Sequence, residues 1–236
     1  MRLAIDPERT GLLPIVLVHG LSVSSRYMVP VARRLAPHRD VYAPDLPGFG
    51  LSARPPRALT IAELAAALLA WMDALGLGRA IMLGNSMGCQ IIAEAGAAEP
   101  ERLAAAVLVG PTADRRARTI LGHGWRLLRD LRHESLASIV TQGSDYLRFG
   151  PLRTIVTLRY ALADAIERKL PLLRVPVLLV RGEHDPIAPQ PWLEELAALT
   201  AESELRVIPG GPHAVNYDRP DELAAAVLAF LARHKL

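Results

Sequence analysis

Three stretches of this chain carry side chains that together could run nucleophilic catalysis. They are Gly84-Asn-Ser-Met-Gly88, Gly182-Glu-His-Asp-Pro186 and Pro212-His213, which supply Ser86, Asp185 and His213. A serine hydroxyl is a weak nucleophile. It needs a base to take its proton and an acid to hold that base in the right tautomer. The first stretch gives the strongest signal. A G-x-S-x-G pattern that follows an apolar run and opens an apolar helical pattern marks a sharp strand-to-helix turn, too crowded for bulk beside its central residue. Such a turn holds Ser86 Oγ out at a strand end and aims the N–H of Met87 at the place where an oxyanion develops. Cys89, one turn further on, reads as a small packing residue.

Positioning these groups requires strands that end in loops. Ile15-Val-Leu-Val18 is an apolar, β-branched run of the kind buried on both faces of a sheet, and it ends in His19-Gly20-Leu21-Ser22. Further strands are expected at Asp40–Pro44, Ala80–Leu83, Ala104–Gly110, Val175–Arg181 and Leu205–Ile208. Helical patterns lie between them, from about Tyr27, from Thr60 to Leu75, after Ser86, from Pro191 and from Pro220. Thr60-Ile-Ala-Glu63 is a capping box. Alternating apolar strands and helices predict a parallel sheet covered on both faces, with ligands at the carboxyl ends of its strands.

Between Pro111 and Arg174 the alternation stops. That stretch is helical in character and holds eleven arginines and one lysine against six acids, although the whole chain carries only +3. It is expected to be a helical insertion over the active end of the sheet, so residues 1–112 and 175–236 form the core and 113–174 a cap. Arginines facing a cleft would favour an anionic substrate, and Arg115, Arg118 and Arg126 are the candidates for contacting it. The stretch has no nucleic-acid-binding motif and no interleaved aromatics, so no nucleic-acid partner is expected.

A chain of 236 residues with 51% hydrophobic and 22% charged residues suits one well-filled domain and argues against wholesale disorder. One cysteine excludes an internal disulfide. The histidines lack metal-ligand spacing, so neither a metal nor another cofactor is expected. No segment has the length and apolarity of a membrane span, and the first residues lack a signal-peptide core. A soluble, cytoplasmic protein without membrane contact is therefore expected.

The order Ser, Asp, His, together with His19-Gly20 and Asp45-Leu-Pro-Gly-Phe-Gly-Leu-Ser52, resembles the α/β-hydrolase fold family over nearly the whole chain. The resemblance implies a mostly parallel sheet with helices on both faces and a small helical cap inserted after the sixth strand. The short stretch before Ile15 leaves room for one strand, at most a hairpin, so fewer than the usual eight strands are expected. Catalytic roles are implied for Ser86 as nucleophile, His213 as base and Asp185 as acid, with Asp114 the alternative acid. The oxyanion hole would be the N–H groups of Leu21 and Met87, with Ser22 the second choice for the first donor. His19 would brace that loop, His184 would be exposed or structural, and Ser22 and Asn85 are further substrate-contact candidates.

A serine at the elbow points away from chemistry that needs a carboxylate nucleophile and toward a serine-dependent carboxylic ester hydrolase acting on a small-molecule ester, thioester or lactone. The elbow with Asn85 is also similar to that of meta-cleavage-product hydrolases, which cut carbon–carbon bonds. That subgroup carries tryptophan just after its histidine, where this chain has Ala214. A non-hydrolytic ligand receptor on the same scaffold is the third possibility.

Overall fold

The expected apolar runs form the strands, and the 3.6-residue patterns form helices around them. The computed structural model describes residues 2–3 and 11–236. In chain order the elements are β1 (Arg2–Leu3), β2 (Ile15–Val18), α1 (Val29–Leu35), β3 (Val41–Tyr42), α2 (Ile61–Ala74), β4 (Ala80–Asn85), α3 (Met87–Ala98) and β5 (Leu103–Val109). Four helices follow without a strand: α4 (Ile120–Asp130), α5 (Leu136–Phe149), α6 (Pro151–Ala163) and α7 (Ile166–Lys169). The alternation resumes with β6 (Val177–Gly182), α8 (Gln190–Leu199), β7 (Ser203–Ile208), α9 (Val215–Asp218) and α10 (Pro220–Arg233).

The strands form one sheet in the order β1-β3-β2-β4-β5-β6-β7, parallel except for β1. Every residue of β2, β4, β5 and β6 is buried, because helices cover both faces. One apolar layer holds α2, α3 and α8, and the other holds α1 and α10. β7 closes one edge with exposed Arg206 and partly buried Glu204, charges that discourage further strand pairing. The capping box at α2 forms as its sequence predicts: Glu63 N–H donates to Thr60 Oγ1, and the Thr60 N–H donates to the Glu63 carboxylate.

Ahead of β2 the described residues contribute only the two-residue β1. The helical insertion therefore follows the fifth described strand, where the family count places it after the sixth. The insertion is tied to the core by polar bridges. Ser24 donates twice to Asp145 Oδ2 on α5, and Ser22 Oγ lies 2.9 Å from Thr154 Oγ1 on α6. Gln90 on α3 donates to the carbonyl of Ala161, and Arg115 and Arg116 pair with Glu195 on α8.

Candidate active site

Ser86 caps α3 in a conformation rare for L residues, φ 58° and ψ −123°. Its neighbours explain why the turn needs glycine. A Cβ on Gly84 would lie 2.6 Å from the Gly88 carbonyl carbon, and one on Gly88 would lie 2.3 Å from the Val18 carbonyl oxygen. The Ser86 N–H donates to Val109 O at 2.9 Å, fixing the elbow to β5. Met87 is the first residue of α3, so its N–H lies outside the helical ladder.

Asp185 and His213 are brought together from the loops after β6 and β7. His213 Nδ1 lies 2.8 Å from Asp185 Oδ2, while Asp185 Oδ1 accepts the N–H groups of Ile187 and Ala188. Burial works to raise the Asp185 pKa. The charge and hydrogen bond of His213 and the two backbone donors outweigh it, leaving the carboxyl below its usual range. Burial likewise works to lower the His213 pKa, but the Asp185 carboxylate reverses the sign and pushes it up to about 9.

His213 Nε2 is buried without a partner among the described residues. His213 and Ser86 line one cavity of about 30 Å3, roughly the room of one or two waters. A second cavity, of about 10 Å3, borders Ser86 and Met87 and is not lined by His213. Leu21 lines both cavities beside Ser86. His19 holds this loop in place: Leu46 N–H donates to its Nε2, which leaves Nδ1 to donate to Gly20 O at 2.9 Å. Burial lowers the His19 pKa, in keeping with a ring that accepts at Nε2 and donates at Nδ1.

The remaining candidates are placed differently from one another. Asn85 lines the His213 cavity, yet its amide donates to the His213 and Val109 carbonyls, so it ties the His213 loop to the end of β5. Ser22 is buried with φ 58°, is bonded to Thr154 and lines neither cavity at Ser86. Asp114 does not reach His213; it accepts from Arg126 at 2.8 Å and from the Arg116 N–H. Arg115, Arg118 and Arg126 line neither cavity. Their guanidiniums are engaged by Glu195, by Glu167 and the Ala113 carbonyl, and by Asp114 and the Ile187 carbonyl respectively. These three arginines thus fasten the insertion internally and to the core.

Cys89 is buried, with Sγ 3.2 Å from Gly84 O, and burial pushes its thiol well up. His184 is exposed and stacks on His133 of the insertion, ring centroids 4.7 Å apart.

Three residues that sequence reasoning missed shape the site. His123 on α4 is buried and lines both cavities at Ser86. Asp130, at the end of α4, accepts the His213 backbone N–H. Arg181, buried in an apolar strand, donates to the carbonyls of Glu183, Asp185 and Ala188 and so shapes the Asp185 loop. Its position within a strand otherwise buried on both faces was the one available signal. Among the described residues no cluster of His, Cys, Asp or Glu could hold a metal, and no helix is long and apolar enough to cross a membrane.

Comparison with known proteins gives concordant likenesses. A family model described as the alpha/beta hydrolase family matches residues 15–226. A pimeloyl-[acyl-carrier protein] methyl ester esterase of Xanthomonas campestris pv. campestris is 28% identical, with 92% of this chain and 94% of that protein covered. A thermophilic esterase from Thermogutta terrifontis shares the fold at TM-score 0.82 and 23% identity, covering 99% of this chain and 92% of that one. A meta-cleavage product hydrolase from Pseudomonas fluorescens IP01 does so at TM-score 0.76 and 21% identity, covering 99% and 93%.

Proposed function

The chain belongs to the alpha/beta hydrolase family, and from that premise we propose that it is a serine hydrolase cleaving a carboxylic ester, thioester or lactone through an acyl-enzyme on Ser86. The observation that carries this reading is the strained Ser86, facing the same cavity as a histidine whose far nitrogen is 2.8 Å from a buried carboxylate. The esterase among its relatives at 28% identity supports the ester class. The residue after His213 is Ala214, which gives no support to carbon–carbon cleavage.

In the proposed reaction Ser86 Oγ bonds to the carbonyl carbon as His213 Nε2 takes its proton. The carbonyl oxygen gains the negative charge and is met by the N–H groups of Leu21 and Met87. The carbon–heteroatom bond then breaks as His213 returns the proton to the departing group. Water, deprotonated by the same nitrogen, releases the acid and restores Ser86. Asp185 steadies the imidazolium throughout.

The test is turnover of p-nitrophenyl esters from acetate to decanoate, with one acyl thioester, by wild type, Ser86→Ala and His213→Ala. Multiple turnovers lost by a factor of about 10³ or more in both variants are expected. Turnover that survives Ser86→Ala would sink the serine mechanism. Absence of Ser86-dependent turnover on every substrate would sink the ester and thioester reading.

A further inference from the structure

A groove of about 350 Å3 lies between α4 and α5, outside the two cavities at Ser86. Leu128, Leu131 and Ile139 make its walls apolar, and the first two are 60% and 45% exposed. Leu127, Glu134, Gln142 and Tyr146 line both this groove and the cavity that holds Ser86 and His213. The two spaces are therefore separated by a single layer of side chains. The partition carries a polar latch: Gln142 donates to the Glu134 carboxylate and to Ser138 Oγ, and Ser138 Oγ donates to Glu134 at 3.0 Å.

Two glycines point to a purpose for the space. Gly124 lies within α4 and Gly143 within α5, where each weakens its helix by about 1 kcal/mol relative to alanine. Neither has positive φ, and a Cβ on either would meet nothing within 4 Å. Backbone conformation and close packing thus give no reason for glycine at these positions. Both line the groove, and their missing side chains keep it wide.

We propose that this groove binds the apolar alcohol portion of an ester substrate, an inference that rests on the serine hydrolase reading above. The direction follows from the proton. The departing oxygen must come within reach of His213, so the leaving group points into the cavity that His213 lines, and the groove lies directly behind the wall of Leu127, Glu134, Gln142 and Tyr146, which the chain displaces on entering. The second cavity at Ser86 is bounded by Met87, Ala113, Leu158 and Leu162 and not by His213, and is left for the acyl group. At about 350 Å3 against about 30 Å3 for the cavity at Ser86, and with apolar walls, the groove suits an extended alkyl chain.

Octyl acetate and methyl nonanoate are isomers that carry the long chain on opposite sides of the carbonyl. Wild type is expected to prefer octyl acetate over ethyl acetate by at least ten-fold in kcat/KM, and over methyl nonanoate as well. Gly124→Leu and Gly143→Leu should each reduce the octyl-to-ethyl ratio at least ten-fold, with Gly143→Ala in between. An unchanged ratio overturns the groove, and selective loss of methyl nonanoate turnover overturns the arm assignment. Binding of 1-octanol to Ser86→Ala is measured in parallel by calorimetry. If no ester shows Ser86-dependent turnover, the ester reading falls, while saturable octanol binding abolished by Gly143→Leu still supports the groove and its absence overturns it.

Discussion

Asp130 Oδ1, at the carboxyl end of α4, accepts the backbone N–H of His213 at 3.0 Å, so a helix of the insertion holds the loop that carries the proposed base. The other oxygen, Oδ2, is buried without a partner among the described residues. Burial pushes the Asp130 pKa up to about 8, and its charge in turn helps to raise that of His213.

Asp130→Asn keeps an oxygen for the His213 N–H and removes the charge. His213 must be neutral to take the serine proton, so kcat/KM should rise with pH through a midpoint above the ordinary 6.5. In Asp130→Asn that midpoint should fall by on the order of one pH unit. The raised Asp130 pKa also means that this group's contribution to stability is present below pH 3.8 and is lost as pH rises through about 8. The variant should therefore gain urea stability relative to wild type between pH 5 and 9. An acid limb at the same pH in both proteins would show that the two groups are not coupled.

Asp185 and Asp114 are both buried carboxylates near strand ends, but their partners differ. Asp185→Asn leaves the His213 ring without its anion and should lower kcat by about 10⁴-fold, with KM little changed. Asp114→Asn instead weakens the pairs with Arg116 and Arg126 and should cost about 1–3 kcal/mol of stability, with kcat within ten-fold of wild type. The reverse pattern would assign the acid to Asp114.

Gly110 follows β5 with φ +57°, and a Cβ there would lie 2.8 Å from the His213 ring and 3.0 Å from Asp185 Oδ2. Gly110→Ala should displace the Asp185–His213 pair and lower kcat/KM by about 10²-fold, since misplacing a catalytic group by an ångström has costs of that size. The left-handed backbone adds about 1–2 kcal/mol of destabilisation. Steady-state kinetics beside urea unfolding separates the two effects, and wild-type kcat/KM in the variant would mean that the loops yield without loss.

The sheet and the three loops were legible because their signals are local. Val16 and Val18 mark a buried strand, Thr60 and Glu63 a capped helix, and Gly84 and Gly88 a tight turn, each within a few residues of its cause. His123 and Asp130 were not legible. Their roles arise from packing α4 against loops that stand some 80 residues away along the chain, as the 83-residue separation of Asp130 from His213 illustrates. The partners of the arginines were not legible for a related reason: composition shows the charge on Arg115, Arg118 and Arg126, but only the fold shows that Glu195, Glu167 and Asp114 engage it. Gly124 and Gly143 look in sequence like weak points in helices, and only the assembled groove gives them a reason.

His123 carries the last prediction, because its ring forms part of the wall between the two cavities at Ser86. Burial first, and then the charges of His213 and Arg126, depress its pKa to about 4. The native state thus prefers the neutral ring, and the stability this group contributes is present above pH 6.5 and is lost as pH falls through about 4. Between pH 7 and pH 5 the loss amounts to about 2 kcal/mol, on the conversion of ~1.4 kcal/mol per pKa unit. His123→Gln keeps a polar side chain of similar reach that stays neutral throughout. Urea unfolding of both proteins at pH 7 and pH 5 should therefore show a smaller acid-induced loss in the variant, by about that amount. Equal losses would mean that the ring is solvated before the protein unfolds, and that the wall at Ser86 opens in the native state.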